Sequence, residues 1–298
     1  MALFPLSDAS TAALIFTGIG LWALMRTLDS ASASVLILNA APWLRRAVWR
    51  YWYEAMARHY APELFVFMNY GVVDVHAPAL PAGLVRTTDA TCAALYAAVA
   101  ARAGLRGARV LEVGCGRGGG AALLTRLHAP ASYVGVDFSP AAVALAARAH
   151  AGVERLAFEA GDAERLRFAP ASFDAIVNVE SSHCYGDVPA FFAEVARVLV
   201  PGGRFAFADF RGTEDIAKLE QQLRATPSLQ LIEAVNITPA VVRAMDVDDA
   251  RKKSLISAHV SRIFQSLFAE FSGVADGKIA TAFRDGSMTY KRYLLVKK

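Results

Sequence analysis

The chain has 298 residues, 55% of them hydrophobic, which is enough to bury one large core and to carry an additional segment. Its net charge is +4, but the arginines are scattered among alanines, a pattern that favours an ordinary solvated surface and argues against nucleic-acid binding. The three cysteines lie far apart and form no CxxC or Cys/His pattern. They indicate neither a disulfide framework nor a zinc site, and they fit a reducing compartment.

The N-terminus is unusually apolar. Residues 10–25, STAALIFTGIGLWALM, contain no charged residue, and residues 31–44 form a second apolar run. The first run is at the lower length limit for crossing a bilayer, and the second is too short to cross alone. A signal peptide is disfavoured because no Lys or Arg precedes the apolar run. We therefore expect membrane association through residues 10–44, with a pair of helices packed on the rest of the chain as the alternative.

If the first apolar run crosses a membrane, the arginines that follow it set its orientation, because positive charge is retained on the cytoplasmic side. These arginines are Arg26, Arg45, Arg46 and Arg50. The sequence therefore predicts a membrane-associated protein whose main domain is cytoplasmic. A soluble cytoplasmic protein is the alternative.

An aromatic segment follows at residues 45–71 and is expected to be helical until Pro62. Its aromatic side chains could anchor at a membrane interface, pack in the core or form one wall of a pocket. The candidates for a substrate-binding wall are Trp52, Tyr53 and Tyr70. We divide the chain into the apolar segment 1–44, a helical lead and substrate lid at 45–84, and the main domain at 85–298.

From residue 108 onward, short apolar runs alternate with helical stretches. Strands are predicted at 108–113, 132–137, 156–161, 173–180 and 203–210, and helices at about 119–128, 139–150 and 188–199. Apolar strands joined through helices are typical of a parallel sheet that is covered on both faces. Two further strands, at 229–238 and 287–298, enclose two helices. The fold class is therefore α/β, with a seven-stranded, mostly parallel sheet, helices on both faces and an apolar helical N-terminal segment.

A cluster of glycines in VLEVGCGRGGGAALL, residues 110–124, lies between the first predicted strand and the next helix. In a doubly wound sheet, this turn lies at the carboxyl edge of the strands, where ligands bind. Small residues let the backbone pass close under a ligand, and the helix N-terminus supplies free N–H groups. The spacing of Gly114, Gly116 and Gly119 also fits the dinucleotide fingerprint, so the glycines alone do not identify the ligand.

Acidic residues near the ends of the first three strands narrow the choice of ligand. Asp137 closes the second strand, where a carboxylate reaches a ribose diol, and Asp162 follows the third, placed to accept from an adenine amine while Ala163 offers a backbone N–H. Glu112 precedes the first glycine; a carboxylate there suits an ammonium or sulfonium and repels a pyrophosphate. Each acid alone is more often a solvated or capping group, but the ordered set is much less likely to arise by chance.

Four segments resemble the successive motifs of class I S-adenosylmethionine (SAM)-dependent methyltransferases: VLEVGCGRGGG, YVGVDFS, GDAERLRFAPASFDAIVNVESSHCY and EVARVLVPGGRFAFADF. The resemblance covers about residues 85–298 and implies a Rossmann-like methyltransferase sheet with SAM as cofactor. More narrowly, VWRYWY, FMNYG, NVESSHCY and the terminal RYLLVKK resemble the phthiotriolone dimycocerosate methyltransferases and related O-methyltransferases of glycolipid and polyketide pathways. The first 44 residues depart from this pattern.

The resemblance also implies roles for individual residues. Glu112 would hold the methionine part of the cofactor, Asp137 the ribose hydroxyls and Asp162 the adenine. The residues predicted to contact the cofactor are Glu112, Gly114, Cys115, Gly116, Asp137, Phe138, Asp162, Ala163 and Asn178.

Methyl transfer from a sulfonium is an in-line displacement, which needs alignment, exclusion of water and an acceptor for the proton of a hydroxyl nucleophile. His183, after the fourth strand, is predicted to be the general base because imidazole suits proton transfer near neutral pH; a structural histidine is the alternative. Tyr185 and Asp209 are the next candidates. The region after the fourth strand lacks the carboxylate cluster of metal-dependent relatives, so no metal is predicted.

The sequence thus predicts a SAM-dependent methyltransferase that methylates a hydroxyl of a hydrophobic, lipid- or polyketide-like small molecule. One alternative is a sterol- or isoprenoid-type C-methyltransferase, in which Glu180 or the N-terminal tyrosines would stabilise a carbocation. A second is an NAD-dependent oxidoreductase, against which Glu112 and Asp162 argue. A third is a non-catalytic scaffold of the same fold, which would have lost the acids at the strand ends. The sequence indicates no oligomeric state.

Overall fold

The computed structural model describes residues 42–60, 64–74 and 78–298. Most of the predicted membrane-association segment, residues 10–41, lies outside this part of the chain. Among the residues described, no helix combines the length and the apolar character that crossing a membrane requires.

A sheet of seven strands forms the centre of the fold, in the order β3-β2-β1-β4-β5-β7-β6. The strands are β1 Arg109–Val113, β2 Ser132–Asp137, β3 Leu156–Ala160, β4 Phe173–Val179, β5 Leu199–Gly212, β6 Leu229–Asn236 and β7 Met288–Lys297. The first five pair in parallel, whereas β7 is antiparallel to both β5 and β6. The predicted mostly parallel sheet is confirmed, with antiparallel pairs on one side of it.

The part of the chain that is described contains nine α-helices: α1 Pro42–His59, α2 Ala90–Ala100, α3 Gly119–His128, α4 Pro140–Ala149, α5 Val188–Val198, α6 Thr213–Arg224, α7 Thr238–His259, α8 Gln265–Ser272 and α9 Lys278–Arg284. The sequence pattern predicted neither α6 nor α9. Helix α6 carried a usable signal, since Ile216, Leu219 and Leu223 form one buried stripe and the first turn is acidic.

The sheet separates two apolar cores. Val110 and Leu111 are neighbours in β1 and both fully buried, but they belong to different cores because successive side chains of a strand point to opposite faces. One core contains side chains of α2, α3, α7 and α9, and the other contains side chains of α5 and α6. A third, smaller cluster joins α1 to α7 and α8 through residues such as Met56, Ile256 and Phe268. This cluster holds α1 beside the carboxyl edge of the sheet.

Close packing of α3 on α2 gives a prediction. A Cβ atom at Gly120 would lie 2.0 Å from the Tyr96 ring, whereas a Cβ atom at Gly152 would meet no heavy atom within 4 Å. We expect Gly120→Ala to lower the free energy of unfolding by about 1–3 kcal/mol, because the helices must move apart. Gly152→Ala, the matched control, should change it by less than about 0.5 kcal/mol. Urea denaturation followed by circular dichroism measures both, and equal midpoints for the two variants would contradict the packing argument.

Candidate functional site

A cavity opens at the carboxyl ends of β1 to β4, beneath α1. The chain runs outward from β1 through β2 to β3 and then returns to β4 on the other side of β1. In open α/β sheets, such a reversal of strand order leaves a crevice at the carboxyl edge where ligands bind. The cavity therefore lies where the sequence places the glycine turn and the acids.

The structure divides the predicted site residues into two groups. Those that line the cavity are Tyr53, Gly114, Cys115, Gly116, Asp137, Phe138, Asp162, Ala163 and Tyr185. Those that do not line it are Trp52, Tyr70, Glu112, Asn178, His183 and Asp209. Wall residues that the site predictions missed include Arg46, Trp49, Glu164 and Ser181; Glu180, named only for a C-methyltransferase, also lines the cavity.

Two glycines of the turn after β1 leave their places in the wall free of side chains. Gly114 has a φ of +74°, and a Cβ atom there would lie 2.3 Å from Ser181 Oγ. At Gly116, with a φ of +52°, a Cβ atom would meet no atom nearer than Met68 Sδ at 3.8 Å. The first glycine is thus required by close contact with the end of β4, and the second leaves open space in the wall.

Asp137, at the end of β2, is held by the backbone around it. Its Oδ2 accepts from the Gly116 N–H at 2.9 Å and its Oδ1 from the Ser139 N–H at 2.9 Å. Burial raises the pKa of the Asp137 carboxyl, and these N–H donors partly offset that effect. A carboxylate accepts about four hydrogen bonds, so acceptor capacity remains on the cavity side.

Asp162 is engaged by an arginine from a distant part of the sequence. Arg46 of α1 pairs with Asp162 at 2.6 Å and also with Glu164. The guanidinium carbons of Arg46 and Arg50 lie 5.2 and 4.9 Å from the centroid of the Phe138 ring, within cation–π range. These contacts fasten α1 over the cavity, and a ligand that bonds to Asp162 has to share the carboxylate with Arg46.

Glu112 lies behind the wall. Its fully buried carboxyl accepts from the hydroxyls of Tyr96, at 2.9 Å, and Tyr133, at 2.8 Å. Burial raises the pKa of Glu112 to about 7, although the two hydroxyls counteract this effect. Tyr96 itself lines the cavity, so Glu112 reaches the site through its neighbour. Its direct contact with the methionine part of a cofactor stays a prediction that this geometry does not favour.

Asn178 is also buried beneath the wall. Its Nδ2 lies within hydrogen-bonding distance of Val113 O, Ser181 Oγ and Tyr185 OH, at 2.8, 2.7 and 3.0 Å. Its Oδ1 has no partner in the structure as described. Asn178 therefore positions the cavity-lining side chains of Ser181 and Tyr185.

The three substrate-wall candidates face different surroundings. Tyr53 lines the cavity and stacks on Trp49, one helical turn earlier, with ring centroids 5.9 Å apart. Successive helical residues are about 100° apart around the axis, so Trp52 lies on a different side of α1, where it packs on Phe268. The Tyr70 ring is buried 5.4 Å from that of Phe210. Trp52 and Tyr70 therefore support the wall without forming it.

His183 forms a buried pair with Asp209. Its Nδ1 lies 2.8 Å from Asp209 Oδ1, and Asp209 also accepts from Ser182 Oγ at 2.6 Å. Burial opposes ionisation of Asp209, but Arg211 and His183 hold the pKa of its carboxyl well below the usual range. Burial likewise acts to lower the pKa of His183, but Cys184 and Asp209 raise it to about 10. The contact with Asp209 therefore favours the protonated imidazole, which must lose a proton before it can serve as the predicted general base.

No three His, Cys, Asp or Glu side chains within the described ranges form a group that could hold a metal ion. The expectation that no metal takes part stays a prediction.

Comparison with known proteins identifies the fold and the cofactor. A family model described as a methyltransferase domain matches residues 111–207. The geranyl diphosphate C-methyltransferase from Streptomyces coelicolor A3(2), solved with Mg2+, geranyl diphosphate and S-adenosyl-L-homocysteine, is 18% identical with a TM-score of 0.57, covering 83% of this chain and 98% of that one. At this identity the likeness establishes the fold alone.

Two curated relatives are more similar in sequence. The phthiotriol/phenolphthiotriol dimycocerosates methyltransferase of Mycobacterium tuberculosis (strain ATCC 25618 / H37Rv) is 37% identical over 268 residues, covering 90% of this chain and 98% of the relative. The fatty-acid O-methyltransferase of Mycolicibacterium smegmatis (strain ATCC 700084 / mc(2)155) is 33% identical, covering 88% of this chain and 93% of the relative. These matches confirm the predicted methyltransferase and its cofactor, SAM, and disfavour an NAD-dependent oxidoreductase. The chain belongs to the family of SAM-dependent methyltransferases that includes these two enzymes.

Proposed function

We propose that the protein transfers the methyl group of SAM to a hydroxyl of a lipid-like acceptor. The main support is the cavity itself, which brings the glycine turn and Asp137 together at the carboxyl edge of the sheet and is roofed by the aromatic helix α1. The named relatives act, by their descriptions, on phthiotriol dimycocerosates and fatty acids. A hydrophobic acceptor fits both observations.

The residues of the cavity wall fit the cofactor. Gly116 leaves open space in the wall, and Asp137 has acceptor capacity for a pair of ribose hydroxyls. Asp162 and the Ala163 backbone are proposed to meet the adenine, with Arg46 sharing the Asp162 carboxylate. Of the four carboxyl groups in the wall, Asp162 and Glu164 pair with Arg46, which leaves Asp137 and Glu180 to favour a cationic ligand such as a sulfonium. When bound, the sulfonium supplies the methyl carbon and retains the electron pair of the bond that breaks.

The acceptor is proposed to enter beside α1. Trp49 and Tyr53 present their rings to the cavity, and Arg46 ties the same helix to the end of β3. A helix held in this way excludes water and keeps an apolar acceptor aligned, which is the main demand of an in-line displacement. We accordingly propose residues 45–84 as the lid and residues 85–298 as the methyltransferase domain.

Cofactor binding should depend on Asp137. Asp137→Asn removes a charge-assisted contact to the ribose, so the affinity for S-adenosylhomocysteine should fall at least tens-fold, about 2 kcal/mol or more. Asp174→Asn is the matched control, because Asp174 is the partner of Arg109 at the opposite edge of the sheet. Isothermal calorimetry measures both variants. Equal affinities for the parent and Asp137→Asn would remove Asp137 from the cofactor site.

Methyl transfer should favour a long-chain alcohol. We expect purified protein with methyl-labelled SAM to methylate the oxygen of a long-chain secondary alcohol faster than a fatty acid of equal length or an isoprenoid diphosphate. Mass spectrometry detects the product, and NMR locates the new methyl group. Transfer to a carboxylate would replace the hydroxyl as acceptor, and transfer to a carbon atom would identify a C-methyltransferase.

We also propose that residues 10–44 keep the enzyme at a membrane, near a lipophilic acceptor; the proposal rests on the two apolar runs. Full-length protein should sediment with membranes after a high-salt wash and be released by detergent, because apolar contact does not depend on ionic strength. A chain that begins at residue 42 should stay in the supernatant and still bind S-adenosylhomocysteine. Full-length protein in the supernatant would contradict the proposal.

A further inference from the structure

Glu180 follows β4 directly and lines the cavity. Its φ is +47°, in the left-handed region of backbone conformation that residues other than glycine and asparagine rarely adopt. The conformation is held by two hydrogen bonds: the Glu180 N–H donates to Ala208 O at 2.9 Å, and Glu180 Oε1 accepts from the Tyr70 N–H at 2.8 Å. Strained residues cluster at functional sites, where the surrounding structure compensates their cost.

Glu180 differs from the other carboxylates of the cavity wall. Asp162 and Glu164 share Arg46, and Asp137 accepts from two backbone N–H groups. Within the part of the wall that the structure describes, Glu180 has neither an arginine partner nor a second backbone donor on its carboxyl. The Tyr290 hydroxyl is its other donor, so the Glu180 carboxyl accepts only from uncharged groups.

The surroundings of Glu180 set its protonation. Burial raises the pKa of Glu180 to about 7; the Tyr70 N–H, the Tyr290 hydroxyl and the charge of His183 lower it, and Asp209 raises it. The titratable groups that face it from the packed elements are Tyr70, Cys92, Tyr96, His183, Asp209, Lys252 and Tyr290. A general base works best when its pKa is close to the operating pH, a condition that Glu180 meets and protonated His183 does not.

We infer that Glu180 accepts the proton of the acceptor hydroxyl, an assignment that rests on the proposed function. The acceptor O–H bond breaks and its proton passes to a Glu180 carboxylate oxygen. The electron pair left on the acceptor oxygen forms the bond to the methyl carbon, while the pair of the old sulfur–methyl bond stays on sulfur. Glu180 then releases its proton to solvent. His183 is a positioning residue, because its positive charge, held by Asp209, favours the ionised form of Glu180.

Glu180→Gln tests this role, because glutamine has the shape of glutamate but does not accept the proton. With a long-chain secondary alcohol as acceptor, turnover should fall by about 10²–10⁴-fold while the affinity for S-adenosylhomocysteine stays unchanged. Glu233→Gln is the matched control, since Glu233 lies in β6 and pairs with Arg292 away from the cavity. This control should keep the parent turnover.

The pH–rate profile separates Glu180 from His183. Parent turnover should rise with pH through about 7, as Glu180 ionises. This limb should be absent in Glu180→Gln. In His183→Gln it should persist and move to higher pH, because the charge that favours the carboxylate is gone. Loss of the limb in His183→Gln, or near-parent turnover in Glu180→Gln, would overturn the inference and make His183 the base.

A measurement without cofactor or substrate checks the titration itself. Infrared difference spectra should show protonated carboxyl groups that ionise near pH 7, from Glu112 and Glu180. Glu180→Gln should remove one component and Glu112→Gln the other.

The pH dependence of stability provides a second check. Because the folded pKa of Glu180 exceeds the unfolded value of 4.5, its ionisation lowers the free energy of unfolding as pH rises from 4.5 to about 7. Glu180→Gln should flatten that decline, and an unaltered decline would contradict the assignment.

The outcomes remain distinguishable from failure of the proposed function. A parent protein that neither binds S-adenosylhomocysteine nor methylates an alcohol would contradict the proposed function itself.

If Glu180→Gln does not fold, Glu180→Asp provides the test, because aspartate keeps the carboxylate on a side chain that is one methylene shorter. That variant should retain the limb near pH 7 with reduced turnover, and its absence would contradict the inference.

Discussion

The turn between β1 and α3 is the constraint on which the cavity depends. The Gly114 N–H donates to Val136 O at 2.7 Å, and the Gly116 N–H donates to Asp137 at 2.9 Å, so this backbone also positions the end of β2. On its other side, Gly114 leaves no room for a Cβ beside Ser181, which follows β4. Three strand ends are therefore placed relative to one another by a segment in which every second residue is glycine. A residue larger than glycine at position 114 would move the end of β4 or close the cavity.

Helix α1 completes the site by a different kind of interaction. Arg46 pairs with two carboxylates after β3, and Glu54 accepts from the Ser139 hydroxyl and the Ala141 N–H at the start of α4. These contacts are partly exposed ionic and polar ones, which are weaker than a packed apolar interface. The apolar cluster with α7 and α8 holds only one side of the helix.

The ionisable groups around the cavity occupy distinct environments. Asp209 is kept ionised by Arg211 and His183, whereas burial raises the pKa of both Glu112 and Glu180 to about 7. The two glutamates differ in position, since Glu112 is enclosed by tyrosines and Glu180 lines the cavity. Glu112 and Glu180 therefore have similar pKa values but different roles, because only a group in the wall can exchange a proton with a bound acceptor.

Local patterns in the sequence predicted the strands, the glycine turn and the acids at the strand ends, because hydrophobic period and turn chemistry act over a few residues. Tertiary structure decided which side chains share a space. Arg46 and Asp162 are 116 residues apart and meet because α1 packs beside α4 and reaches the segment after β3, a contact that no local pattern contains. Tyr53 rather than Trp52 faces the cavity because α7 and α8 cover the other side of α1. Glu180 rather than Glu112 lies in the wall because the β4 chain turns sharply at its end, with a backbone angle that only the packed structure sets.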